Sequence, residues 1–119
     1  MKIINRKTVD AKLVPNTFMI ELAFGCKIEQ IYVFNVELID GTIGALAGYF
    51  NKRTNQIFIT ITNKCSNGEV IEIGAVEVSE GQFGIEESII DGDKEVMNTY
   101  RNVIDEISLE IYKEEEVED

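Results

Sequence analysis

The chain has 119 residues, 39 of them Ile, Leu, Val or Phe, and its 22 acidic against 11 basic side chains leave a net charge of -11. That length makes one ordinary domain, and that apolar share lies well above the level of a disordered chain. The acidic excess argues against direct nucleic-acid binding, which needs Lys and Arg against phosphates. The absence of histidine removes Ser-His and Cys-His chemistry.

Lys2, Arg6 and Lys7 open the chain, but no apolar run follows them as a secretory signal would require. The longest weakly polar run, 43–50, falls far short of the roughly 20 residues of a membrane span. A soluble, cytoplasmic protein without membrane contact is therefore expected, with Cys26 and Cys65 reduced. Heavy use of Ile, Asn, Lys and Glu fits a low-GC bacterial or phage genome.

Residues 3–14 read as a first strand with Val9, Ala11 and Leu13 facing inward, closed by Pro15. Phe18, Ile20, Leu22 and Phe24 alternate with Thr17, Met19, Glu21 and Ala23, which predicts a second strand. Phe24 to Lys27 then reads as a hairpin loop. The alternation of Tyr32, Phe34, Val36 and Leu38 predicts another strand, and that of Ile57, Ile59 and Ile61 one more. Asp40-Gly41 and Asn67-Gly68 supply positive φ for tight two-residue turns, and 51–55 reads as a longer hairpin loop. Short loops force antiparallel neighbours.

Between them, Gly44 and Gly48 share a parity with Leu46 and Phe50, which predicts a strand that a helix approaches closely. Phe58 sits on the polar parity of its strand, beside Thr60 and Thr62. An aromatic there is a candidate partner contact. Ile71 and Ile73 stand on one parity and Val76 and Val78 on the other, so a bulge at Gly74-Ala75 is expected to restore one apolar face.

After Asp91-Gly92 the period changes to 3.6. Val96, Tyr100, Val103, Ile104, Ile107 and Ile111 form a stripe that predicts a helix over 93–113, with Asp93 as its N-cap. The acidic run of 114–119 reads as a disordered tail. The expected fold is α+β: one domain over 1–113, an antiparallel, strongly curved meander of five to seven strands packed by one long C-terminal helix.

Known chemical motifs are missing. There is no Walker A loop, no dinucleotide fingerprint and no Cys-x-x-Cys for zinc. Asp91 to Glu95 opens like a calcium loop, but Val96 and Asn102 occupy the positions where an EF-hand needs Gly and Glu. No catalytic, cofactor or metal residue is assigned, and neither Glu86 and Glu87 nor Glu72 and Glu77 has a spacing that marks a converging acid/base pair.

The charge is uneven: residues 1–60 carry a net +2 and residues 61–119 a net -13. The leading expectation is a small acidic, non-enzymatic interaction protein of the inhibitor, immunity or anti-defence kind. It would bind a basic macromolecular partner through Asp105, Glu106, Glu110, Glu114, Glu115 and Glu116, with Phe58 as an apolar contact. The alternatives are a homo-oligomeric assembly subunit, associating through sheet edges or open faces, and a small-ligand binder with a pocket between helix and sheet.

Overall fold

The alternating runs build one six-stranded antiparallel sheet in the order β1-β2-β3-β4-β5-β6, so each strand lies beside its sequence neighbour. A computed structural model describes residues 1–116. The strands are β1 (Lys2–Asp10), β2 (Gln30–Glu37), β3 (Ile43–Asn51), β4 (Gln56–Lys64), β5 (Val70–Gly81) and β6 (Gly84–Asp91). The helices are α1 (Thr17–Phe24), α2 (Lys94–Asn98) and α3 (Arg101–Glu116). The α+β meander with its C-terminal helix is the fold expected from the sequence.

One sheet face presents Tyr32, Phe34, Val36, Leu46, Ile57, Ile59, Ile61, Val76 and Val78 to Met97, Tyr100, Val103, Ile104, Ile107 and Ile111. Gly48 shows why β3 needs small residues here. A Cβ on it would sit 2.6 Å from Ile111 Cδ1, so the missing side chain lets α3 lie against the strand. The bulge expected at Gly74-Ala75 is present in β5, one residue earlier. The β4 register shifts between Ile61, opposite Gly74, and Thr62, opposite Glu72, so Ile73 is the extra residue. A Cβ on Gly74 would meet Asp91 O at 2.5 Å and Met97 Sδ at 2.7 Å, which reserves this bend for glycine.

Five expectations need correction. Residues 17–24 form α1, not a strand. Six of these eight residues are apolar, so period two and period 3.6 fit equally well, and Gly25 at φ 70° closes the segment as a helix C-cap. The hairpin loop expected at 24–27 is thus a helix end. The first strand stops at Asp10: Ala11–Leu13 turn as a short 3-10 helix whose first amide-side cap is Asp10, leaving Ala11 buried and Leu13 exposed. The turns at Asp40-Gly41 and Asn67-Gly68 do use glycines at φ 86° and 87°, but within longer loops, 38–42 and 65–69. Finally, the single helix expected over 93–113 divides at Thr99 and Tyr100. Asp93 does accept from Glu95 N and Val96 N, but Met97 takes the buried position and Val96 is exposed.

α3 runs through Glu116, so Glu114, Glu115 and Glu116 extend the helix; residues 117–119 of the acidic run lie outside the described residues.

Candidate functional site

The second sheet face is covered only in part, by α1. Ala11, Ile28 and Ile31 are buried there, with Val14, Ile20, Phe24, Val33, Ala47 and Tyr49 packed around them. Ile20 and Phe24, four apart, form the inner stripe of α1. The β3–β4 loop fastens its end: Arg53 Nε donates to Phe24 O at 2.8 Å, and the buried Asn51 Oδ1 accepts from the amides of Arg53 and Thr54. Cys26 Sγ donates to the same oxygen at 3.4 Å, and both cysteines are free thiols.

The outer stripe of α1 is apolar as well. Phe18, Met19 and Leu22 are 57%, 58% and 74% exposed, and Leu13 just before the helix is 76% exposed. Their i, i+3 and i, i+4 spacing places Phe18, Met19 and Leu22 side by side. Beside them runs a groove of about 430 Å³ between α1 and β4, lined in part by Met19, Phe24, Phe58 and Ile90, with Arg53 and Glu77 as charged groups. Phe58 is half-buried in that groove, with Phe24 edge-on at 6.4 Å and Tyr49 at 6.1 Å between ring centroids. Lys12 and Lys27, both exposed, flank α1 in sequence.

The acidic residues expected to face a partner are largely engaged within the chain. Arg6 Nη1 pairs with Glu110 at 3.2 Å, Arg6 Nη2 pairs with Glu114, and Tyr32 Oη donates to Glu115. Burial, reinforced by Glu115, holds the Tyr32 phenol above its ordinary pKa. Asp105 is half-buried and neighbours Glu87 of β6. Glu106 and Glu116 remain exposed.

The Glu87–Asp105 contact is the carboxylate pair that spacing did not reveal. Glu87 Oε1 and Asp105 Oδ1 are both buried without a donor, and Arg101 Nε stands 4.0 Å from Glu87 Oε1. Neighbouring carboxylates oppose each other's ionisation, and a proton on Glu87 would supply the missing donor. Burial first, then the hydrogen bond and charge of Asp105, raise Glu87 from its ordinary 4.5 to about 7. A cleft of about 480 Å³ opens beside this pair, with Lys94, Asn98 and Arg101 on one wall and Val76, Met97 and Ile104 at its base.

Among the described residues, no cluster of three or more His, Cys, Asp or Glu could hold a metal ion, and no helix is long and apolar enough to cross a membrane. Compared with protein-family models, curated proteins and solved structures, the chain matches none.

Proposed function

We propose that this chain is a non-enzymatic protein-interaction domain that docks through the outer stripe of α1 and the groove beside it. The carrying observation is the row of Phe18, Met19 and Leu22 turned to solvent on a helix whose opposite stripe is already packed. Contiguous apolar surface on a folded domain marks a contact site, and a helix offering i, i+4 anchors suits a partner's apolar groove. The exposed Lys12 and Lys27 at the two ends of this segment suit a partner groove bordered by carboxylates. An inhibitor or immunity-type protein works this way, covering a partner's surface without chemistry. Relative to a basic partner on the acidic helix, this reading gains from the internal pairing of Glu110, Glu114 and Glu115.

The test is retention of a copurified partner by the full chain and by variants. Leu22→Asp is expected to weaken binding at least tenfold, about 1.4 kcal/mol, while Glu106→Gln with Glu116→Gln leaves it unchanged. The reverse pattern returns the contact to the acidic helix and sinks the proposal.

A second reading, a small-ligand site in the cleft beside Glu87, is favoured by the polar groups of Lys94, Asn98 and Arg101 that line it. A metabolite that raises the melting temperature of the chain but not of Arg101→Ala would support it.

A further inference from the structure

The two edges of the sheet carry opposite charge. β1 has Lys2, Arg6 and Lys7 against the single Asp10, and β6 has Glu86, Glu87 and Asp91 with no basic residue. Each strand is hydrogen-bonded on one side only, to β2 and to β5. Because the sheet has six strands in simple meander order, β1 and β6 run in opposite directions. A second copy placed alongside in the same orientation therefore offers its β1 antiparallel to β6, with its α1 face on the same side.

The charges then match in one register. With Lys2 of one copy opposite Asp91 of the next, Arg6 falls opposite Glu87 and Lys7 opposite Glu86. In that register Lys2 to Val9 covers the whole of β6, and Ile3 and Ile4 meet Ile90 and Ile89. The pleat agrees with the sequence arithmetic. Lys7 pairs in its own sheet with Val33 and Lys2 with Glu37, on the α1 face, and Glu86 and Asp91 pair with Ser79 and Ala75 on that same face. Arg6, opposite Phe34, and Glu87, opposite Val78, both lie on the α3 face, where Glu110 and Glu114 engage Arg6 and Asp105 neighbours Glu87 within the chain, so the pairs across the edges are those of the α1 face. Each edge strand also has one register shift, at Ile4 and at Ile90, so the five-residue spacing of the charges is equal on the two sides.

Charges and bulges are common protections against edge pairing. Here they oppose β1 with β1 and β6 with β6, but they leave β1 with β6 complementary. We infer that copies of this chain join edge to edge, β1 of one to β6 of the next, in the register Lys2–Asp91 and Lys7–Glu86. Such a contact is heterologous, so it repeats into a ring or a filament.

Sedimentation velocity on the full chain tests this. Assembly is expected to grow with protein concentration at about 20 mM salt and to recede at about 500 mM, as exposed charge pairs are screened. Lys2→Glu with Lys7→Glu makes both edges acidic, and Glu86→Lys with Asp91→Lys makes both basic; each variant is expected to stay monomeric. Mixed in equal amounts, the two variants restore complementary edges and reassociate. A wild-type chain that remains a monomer, variants that assemble like wild type, or a mixture that stays monomeric each overturns the inference. Should a charge variant fail to fold, Asn5→Cys with Ser88→Cys, in a Cys26→Ser, Cys65→Ser background, reads the same register covalently. Oxidation is expected to give a ladder of disulfide-linked multimers, and its absence also refutes the pairing.

Discussion

The two faces of one sheet have been finished in different ways. The face under α3 is closed by a sixteen-residue helix over a buried layer rich in Ile, Val, Tyr and Phe, with Gly48 cut back so that Ile111 can settle on the strand. The face under α1 is covered by eight residues that are apolar on both sides, so half of the helix's hydrophobic surface faces water. The first arrangement is that of a core, and the second leaves Phe18, Met19 and Leu22 exposed. Under the proposed function the contrast leaves stability to one face and recognition to the other, although both are built from the same residue types.

The contrast can be broken most severely in the α3 layer. Ile107→Ala is expected to cost about 2–5 kcal/mol in a urea melt, because Ile107 is fully buried and its removal leaves a cavity. Leu22→Asp, on the outer side of α1, should stay within about 0.5 kcal/mol, as exposed substitutions do. Equal losses at the two positions would abolish the distinction. Gly74→Ala comes next, at about 1–3 kcal/mol, since its Cβ would run into the backbone oxygen of Asp91.

Smaller effects sharpen the comparison. Arg53→Ala removes the donor to Phe24 O, for about 1 kcal/mol at most given its exposure, and amide exchange should accelerate in α1 while α3 stays protected. The smallest and most specific effect is that of pH. Glu87 has a folded pKa near 7, above its ordinary 4.5, so the folded state holds its proton more tightly than the unfolded chain does. The stabilisation from that proton is complete below about 4.5 and is lost as pH rises through about 7. Glu87→Gln, measured by thermal melts across that window, should flatten the corresponding part of the stability profile. An unchanged slope would dismiss the proton on Glu87.

Much of the fold could be read in the residues. The strict alternation in β2 and β4, the parity of Gly44 and Gly48, the phase break around Gly74 and the Asp93 cap each have one local physical meaning, and the structure honours them. Residues 17–24 have two meanings, because a nearly continuous apolar run satisfies either period, and only Gly25 and the packing of Ile20 and Phe24 decide between them. Val96 and Met97 exchange places because the helix divides near Thr99, which shifts the phase of the stripe. Neither candidate site was legible as such. Glu87 and Asp105 are joined by the packing of α3 against β6, and the acidic helix is engaged by Arg6 and Tyr32 from the far end of the chain. The match between the edge strands is written in the sequence, but it has no meaning until strand order and direction are known.

The position of α3 in the chain has a consequence for synthesis. A polypeptide leaving the ribosome N-terminus first has made all six strands before the first residue of α3 appears. Phe34, Leu46, Ile57, Ile59 and Ile61 then form an uncovered apolar surface, which persists until Ile104, Ile107 and Ile111 emerge. In that interval the nascent sheet is most open to aggregation and to chaperones. Lengthening the stretch between β6 and α2 would prolong this vulnerable period without altering the finished core.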